Sequence, residues 1–307
     1  MWPYWPGHLT ITCHLVFRPT TMLRAVAQRT AGPVSHNIRM RRMVVAVTAL
    51  AVAVAVIVGG AIAVDYGASI YAEYRLSSSV RKAANLGSDP FVAILAFPFI
   101  PQAIHRHYNE LEIKANGVDH AMVGKATLEA TMHSIGLTDA SWLIRPDAKL
   151  PVGKLESRII ISSTHLGRYL GISDLMVEAP PQETNDATGG TTESGVSGNH
   201  GLVFSGTPKS ANFDHRVSIS VDLSIAPDDP ATLVFTPTGV LTGPNTADEP
   251  VPDDKRDAVL HAFDARLPGQ RLPFGVAPTA VGARGSDVII EGIMRGVTVT
   301  LEGFKQS

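Results

Sequence analysis

Two histidines flank an arginine at His105, Arg106 and His107, and this arrangement could hold a metal ion. If the segment is a strand, residues two apart point to the same side, so both imidazoles could reach one ion. A protein metal site needs three or four such ligands, and no obvious third ligand accompanies this pair. The intervening arginine favours a solvated basic edge, and the sequence predicts no metal site.

Paired carboxylates could act as general acid and base, and the chain offers two pairs, Glu110 with Glu112 and Asp253 with Asp254. The first pair alternates with apolar residues, which indicates the solvated face of a strand. The second pair stands where a helix is predicted to begin, and the helix dipole favours negative charge there. Both pairs therefore have a structural explanation.

A third group, His165, Arg168 and Tyr169, falls on one predicted short helix and could contact a phosphate, although an ordinary helix surface explains it better. The chain has no Gly-x-Ser-x-Gly, His-Glu-x-x-His, Gly-x-Gly-x-x-Gly or P-loop motif. From this we expect a binding protein and not an enzyme, with no catalytic residue and no cofactor.

Charge is distributed unevenly along the 307 residues. Six of the 26 Lys and Arg residues precede Asp65, which leaves 20 against all 28 Asp and Glu residues in the remainder. An acidic domain argues against a nucleic-acid partner, because phosphate neutralisation needs a basic face. The only cysteine, Cys13, lies near the N-terminus, so the rest of the chain can form no disulfide framework.

Residues 43–64 carry no charge over 22 positions, enough at about 1.5 Å per residue to span a hydrocarbon core of roughly 30 Å. Arginines before the segment and Asp65 after it predict a single-pass anchor with the C-terminal domain extracytoplasmic. A cleaved signal peptide is the alternative, supported by the small residues Ala61 and Ala63. Residues 1–42 are expected to be a disordered cytoplasmic tail, or the product of an upstream start codon with Met40 as the true start.

The extracytoplasmic domain, residues 65–307, is predicted to be α+β. A helix is expected from Asp65 to Leu86, in which Tyr66, Ile70 and Tyr74 begin an apolar stripe that packs in the core. Leu76, Val80 and Ala84 are expected to continue that stripe. Alternating strands follow, joined by a hairpin turn at Asn116-Gly117.

Further strands are expected at 155–161, 217–225, 231–241, 286–291 and 297–301. A short helix is predicted from Thr164 to Leu170, capped by Ser163 and closed by Gly171. Another helix is predicted from Asp253 or Asp254 to Leu267, with a return to sheet at 272–275. Residues 179–200 contain few apolar side chains that could be buried, and they are predicted to form a mobile loop within one domain. The pieces predict a curved, mostly antiparallel sheet packed on one or two helices.

The segment from Asp89 to Asp119 contains an apolar run broken by Pro98 and Pro101. Soluble cores seldom crowd Phe97, Phe99 and a pair of isoleucines around two prolines that prevent a regular strand. The alternatives are a buried corner and a rim that faces lipid.

This segment resembles the actinobacterial LmeA-like phospholipid-binding family, whose Phe-Pro-Phe-(Leu/Ile)-x-Gln-Ala patch corresponds to Phe97–Ala103. Two further marks of the family recur, VDYGASIYAEYRL at Val64–Leu76 and LPFG at Leu272–Gly275. The resemblance runs roughly from Val64 to the C-terminus. One departure is Ala96, where the family pattern leads us to expect glycine. The resemblance implies a twisted sheet wrapped around a long helix, similar to tubular lipid-binding proteins, with an elongated apolar groove.

The predicted function is binding of a phospholipid, phosphatidylinositol-type by the resemblance, in an apolar groove of a membrane-anchored envelope protein. The resemblance also implies a role in the assembly or maintenance of mannosylated envelope lipids. The predicted acyl-chain contacts are Phe91, Phe97, Phe99, Ile100, Ile104, Leu272 and Phe274. The predicted headgroup contacts, chosen because a cation pairs with phosphate, are Arg106, Arg168 and Arg271. The alternative is a non-catalytic interaction module anchored beside an envelope enzyme, with an unknown protein partner.

Overall fold

The computed structural model describes residues 35–138, 141–178, 201–243, 246 and 250–305, with side chains from Met40 onward. The chain divides into two compact units, residues 1–57 and 58–307. The mobile loop predicted at 179–200 and most of the tail predicted at 1–42 lie outside the described residues.

Helix α1 runs from Ser35 to Ala84 as one element, so the predicted membrane segment continues into the predicted domain helix. Between Met40 and Ala84 the helix is long and apolar enough to cross a membrane. Every side chain from Met40 to Val64 is exposed, as expected of a segment that packs against lipid and not within a protein core. The helix ends where Asn85 takes a left-handed conformation, with φ of 53°.

The predicted apolar stripe of α1 is buried in its second part and exposed in its first. Leu76, Val80 and Ala84 are buried as predicted, and Ala72 lies on the same face. Tyr66, Ile70 and Tyr74 are exposed by 56%, 63% and 70%, so the expectation that these three residues pack in the core was wrong. Spacing alone identified an amphipathic helix but could not choose between two apolar stripes on it.

The first sheet has six antiparallel strands in the order β1-β2-β3-β4-β11-β10. Its strands are β1 (Phe91–Leu95), β2 (His107–His120), β3 (Gly124–Gly136), β4 (Lys149–Ser162), β10 (Ala280–Arg284) and β11 (Asp287–Thr300). One face is apolar and buried, as predicted from the alternation of Leu111 and Ile113 with charged residues. The other face carries ion pairs, including Arg158 with both Glu156 and Glu291 at 2.7 and 2.5 Å.

Helix α1 lies along the edge strand β1 and satisfies polar groups that the sheet leaves free. The Glu73 carboxylate accepts a hydrogen bond from the Ile94 N–H at 2.9 Å, and the Ser77 hydroxyl donates to the Pro90 carbonyl at 2.7 Å. A helix that covers an exposed edge prevents pairing with another chain.

Asn116-Gly117 is not the hairpin turn that the sequence suggested. Strand β2 continues through it to His120, and the chain reverses at residues 121–123. The register shifts between Ala115 and Val118, so the pair forms a β-bulge in which Gly117 takes a φ of 65°. Both structures need a residue at positive φ, which is why the dipeptide alone did not distinguish them.

The second sheet has five strands, β5 (Met176–Glu178), β6 (Gly201–Gly206), β7 (Val217–Ile225), β8 (Leu233–Leu241) and β9 (Ala265–Leu267), paired in that order. The predicted strand 217–225 and its pairing with β8 are confirmed. Helix α3 (Ser163–Leu170) is closed by Gly171 as predicted, although Ser162 and not Ser163 is its N-cap. Helix α4 (Asp253–His261) is shorter than predicted, because residues 265–267 leave it to form β9.

The C-terminal part differs from its prediction in two places. Residues 273–275 form a 3-10 turn and not a return to sheet, and the two strands predicted at 286–291 and 297–301 are halves of the single strand β11. A short turn at 301–303 follows, and Phe304 packs in the core against Phe274, with ring centroids 5.7 Å apart.

A buried pair, His120 and Gln270, joins the β2–β3 turn to the segment before the 3-10 turn. The His120 Nδ1 accepts from the Met122 N–H at 3.1 Å, so its Nε2 carries the proton toward the Gln270 Oε1. Burial lowers the pKa of His120, and its hydrogen bond to Gln270 opposes that shift. The imidazole is therefore a neutral structural group.

The fold is α+β, with two curled antiparallel sheets and a long apolar N-terminal helix, and the predicted fold class is confirmed. The sequence had not indicated that the strands divide into two sheets. Because α1 and the first sheet share one core, the elements just after the apolar segment are held in fixed positions.

Candidate functional site

Helix α2 (Phe99–His105) carries three of the seven predicted acyl contacts, Phe99, Ile100 and Ile104, and Asp65 of α1 fixes its first turn. The Asp65 carboxylate accepts hydrogen bonds from the N–H groups of Phe99 at 2.8 Å and Ile100 at 2.7 Å. Helix N-termini leave such groups unpaired, and the residue at the usual capping position, Pro98, has no side-chain donor or acceptor for them. Asp65 is only 5% exposed, so it caps α2 from another helix.

Gln102 holds the turn before α2 and the strand after it. Its amide nitrogen donates to the carbonyls of Ala96 and Pro98, and its amide oxygen accepts from the Asn109 N–H at 3.0 Å. This glutamine belongs to the Phe97–Ala103 motif, and its role explains why an apolar patch contains a buried amide.

Ala96 takes a φ of 76°, in the left-handed region where a Cβ is unfavourable. We expect Ala96→Gly to raise the free energy of unfolding by roughly 0.5 to 1 kcal/mol, because glycine adopts this conformation without steric cost. Denaturant unfolding of the full chain in detergent would measure the change. Unchanged or lower stability would show that the backbone here is unstrained.

The α2 pocket, as we call it, is a cavity of about 370 Å³ between α1, α2 and the loop that precedes β4. It is lined by Ala68, Phe99, Ile100, Ala103, Ile104, Arg106 and Trp142. Six of these seven side chains are apolar, and the remaining one is a cation. Cavities of roughly 300 to 1,000 Å³ with this kind of lining are typical ligand sites.

One wall of the pocket is an aromatic cluster built on Tyr108 of β2. Phe99 stacks on Tyr108 with ring centroids 5.8 Å apart, and Trp142 meets Phe99 edge-on at 6.1 Å. The Tyr108 hydroxyl donates to the Trp142 carbonyl, which fixes the loop. Burial raises the pKa of Tyr108 to about 12, so this hydroxyl keeps its proton at neutral pH.

Larger cavities exist elsewhere, but their linings suit an acyl chain less well. The cavity of about 640 Å³ beside the end of α1 includes Asp119, Lys125 and Lys305, and that of about 590 Å³ beside α4 includes His261, Asp264 and Arg266. Burying apolar chains against charged groups forfeits the gain of roughly 25 cal/mol per Å². The α2 pocket is therefore the candidate lipid site.

Four of the seven predicted acyl contacts lie at or beside the α2 pocket. Phe99, Ile100 and Ile104 line it, and Phe97 precedes α2 and stacks on Tyr66 at 5.6 Å. Phe99 is 3% exposed whereas Phe97 is 59% exposed. Within this one motif, Phe99 therefore belongs to a buried corner and Phe97 belongs to an exposed rim.

The other three predicted acyl contacts lie apart from this lining. Phe91 is 58% exposed and begins β1, whereas the turn before α2 follows the opposite end of that strand. Leu272 is fully buried beside Gly292, and Phe274 packs on Phe304. The structure does not bring these three to the α2 pocket.

The three predicted headgroup arginines are not together. Arg106 lines the pocket, and its carbonyl accepts from Leu137, one residue beyond the end of β3. Arg168 belongs to α3, whose His165 contacts the Val123 carbonyl just before the start of β3. The 12 steps of that strand correspond to roughly 40 Å.

Arg271 lies at the same end of β3 as Arg168, away from the α2 pocket, because its neighbour Gln270 contacts His120 at the β2–β3 turn. It also faces Asp229, whose pKa lies below its usual value mainly through the Thr232 hydroxyl, with Arg271 contributing. Only Arg106 can therefore share a ligand with the α2 pocket.

The histidines and carboxylates that were considered as metal ligands or as general acids and bases occupy positions typical of structural residues. His105 ends α2 and His107 begins β2, and among the described residues no three His, Cys, Asp or Glu side chains are placed to hold a metal ion. Glu110 lies 4.0 Å from His133 on the charged face of the first sheet, and Asp253 and Asp254 occupy the first turn of α4.

Sequence reasoning missed three residues that build the site, Asp65, Ala68 and Trp142. Asp65 had been interpreted only as the charge that ends the membrane segment. Its hydrogen bond with Phe99 joins residues 34 positions apart in the sequence, and no local sequence pattern predicts a contact over that separation. Ala68 lies one turn before Ala72 on the buried face of α1, and the sequence analysis named only Leu76, Val80 and Ala84 on that face.

The model of the LmeA-like phospholipid-binding family matches residues 63–293. The match includes the last 22 residues of α1, the α2 pocket, the second sheet and all of the first sheet except the end of β11. Searches of curated proteins and of solved structures gave no match. Because the family model covers most of the chain, this protein belongs to the LmeA-like phospholipid-binding family.

Proposed function

We propose that this protein is a membrane-anchored phospholipid-binding protein of the cell envelope, which holds an acyl segment of its lipid in the α2 pocket. Arg106 at the pocket would pair with the headgroup phosphate. The lipid is of the phosphatidylinositol type, and binding serves the assembly or maintenance of mannosylated envelope lipids. The lipid class and the role in envelope lipids follow from the resemblance to the family.

The observation that carries the proposal is the composition of the α2 pocket, six apolar side chains and one arginine on elements anchored to α1. A phospholipid presents the complementary pattern, an apolar chain next to an anionic phosphate. The pocket volume of about 370 Å³ suits one acyl segment and not a whole two-chain lipid.

Support for the location comes from the apolar part of α1 and from the arginines that precede it. Basic residues stay on the cytoplasmic side of a membrane segment, so the domain would lie outside. We propose a retained single-pass anchor.

We propose binding without catalysis. The carboxylate pairs have structural partners or helix-terminal positions, and the pocket lining contains no acid, base or nucleophile among its described side chains. The family is described as a binding family.

The test is native mass spectrometry of the full chain, purified in detergent from an envelope-bearing host, with organic extraction of the same sample. We expect about one phospholipid per chain, enriched in inositol-containing species. An empty protein that takes up no lipid from added liposomes would contradict the proposal. Capture of one stoichiometric protein partner by such an empty chain would favour the interaction module.

A further inference from the structure

A cluster of apolar side chains surrounds the opening of the α2 pocket without being covered by the protein. We call Tyr66, Phe97, Ile104 and Trp142 the pocket rim. Phe97, Ile104 and Tyr66 are more than half exposed, and Trp142 is 38% exposed. Water-exposed aromatic and aliphatic groups in such proximity mark a surface that contacts another apolar phase.

The position of the rim along α1 indicates what that phase is. Tyr66 and Ala68 lie two and four residues beyond Val64, the last residue of the apolar segment, so they stand roughly 3 and 6 Å past it along the helix. The interfacial layer on each side of a bilayer core is about 5 to 8 Å thick. Measured along the same helix, the pocket opening falls within that layer.

The composition of the rim agrees with its position. Tyrosine and tryptophan concentrate at membrane interfaces because they combine an apolar ring with a polar group. Val58, Ile62 and Val64, which precede the rim on α1, are also exposed, so exposed apolar side chains continue along the helix up to Tyr66. A protein partner would have to cover the rim while leaving this helix surface to lipid.

We propose that the pocket rim is embedded in the interfacial layer of the membrane that α1 crosses, so that the α2 pocket opens sideways to the lipid headgroups. This deepens the proposed function and rests on it. A lipid would insert one acyl segment into the pocket without passing through water, while the rest of the molecule stays in the bilayer. The small pocket volume agrees with partial uptake.

The chain offers a matched pair of positions for the test. Phe97 and Phe91 are 59% and 58% exposed and lie near opposite ends of β1. Pro90, next to Phe91, contacts Ser77, which is 13 residues or roughly 20 Å along α1 beyond Val64. Phe97 should therefore reach the interfacial layer, whereas Phe91 should not.

The experiment uses the full chain in nanodiscs of phosphatidylcholine and phosphatidylinositol. With Trp2, Trp5 and Trp142 changed to phenylalanine, Phe97→Trp supplies a single fluorescent reporter and Phe91→Trp supplies its control. Phospholipids brominated near the headgroup should reduce the Phe97→Trp emission at least twofold. The same lipids should leave the Phe91→Trp emission unchanged, and aqueous iodide should quench only the latter.

A second reporter separates this proposal from lipid binding itself. In a chain that keeps only Trp142, which belongs to the rim and also lines the pocket, brominated lipid inside the pocket quenches Trp142 even when the rim is not embedded. Quenching of Trp142 without quenching of Phe97→Trp would overturn the embedded rim and leave the proposed function standing. Equal iodide quenching at Phe97→Trp and Phe91→Trp would also overturn it.

Discussion

Replacing Asp65 by alanine is expected to detach α2 from α1 and to abolish lipid binding. The change removes both acceptors for the Phe99 and Ile100 N–H groups, and Phe99 lies in the buried part of the pocket wall. Hydrogen bonds to a charged group contribute about 1.5 to 3 kcal/mol each, and a helix cap contributes about 1 kcal/mol. Two such bonds would contribute about 3 to 6 kcal/mol, and the cost of burying the carboxylate offsets part of that. We therefore expect the free energy of unfolding to fall by about 2 to 4 kcal/mol.

Denaturant unfolding of the full chain in detergent measures this loss, and extraction of the same preparations measures bound lipid. Asp65→Asn keeps one acceptor oxygen and should lose roughly half as much stability. Asp89→Ala is the matched control, because Asp89 forms an exposed ion pair with Arg81 that should contribute less than about 1 kcal/mol. Equal stabilities for the Asp65→Ala and Asp89→Ala chains would refute the capping role.

Filling the α2 pocket with Ala68→Trp is expected to eliminate bound lipid while the domain stays folded. Ala68 is half-buried on α1 and lines the pocket, so an indole there occupies the space of an acyl segment. We expect lipid content to fall from about one per chain to less than about a tenth, because a filled pocket buries no apolar lipid surface. Native mass spectrometry measures the occupancy.

Ala83→Trp is the control for this substitution. Ala83 is also a half-buried alanine on α1 that packs against the core, and it lies outside the pocket lining. Both variants therefore carry a similar packing cost. If Ala68→Trp retains lipid, or if Ala83→Trp loses it equally, the ligand does not occupy the α2 pocket.

The repeating features of this fold were readable from the sequence. Strict alternation identified β7 and the buried faces of β2 and β3, because a strand with one wet face must repeat every two residues. Two shorter signals misled, since Asn116-Gly117 forms a bulge inside a strand and residues 265–267 pair as β9. In both cases a long-range pairing decided between conformations that the local sequence permits equally.

The candidate site was only partly predictable for a similar reason. The Phe97–Ala103 motif indicated an apolar patch, and the structure forms a pocket around part of it. Whether Arg106 and Arg168 could share a ligand depended on the length and register of β3, which no local pattern encodes. The family resemblance did not supply this information, because it compares sequence motifs and gives no distances between residues.

The cap provided by Asp65 would also limit how the membrane anchor that we propose can move. Its carboxylate is bonded to α2 within the domain, one residue beyond the apolar segment. Piston-like sliding of α1 by one turn into the bilayer would either break both hydrogen bonds or draw a carboxylate and the start of α2 toward hydrocarbon. A thinner membrane must therefore be accommodated by helix tilt or by local deformation of the lipid, and the height of the pocket above the hydrocarbon stays constant.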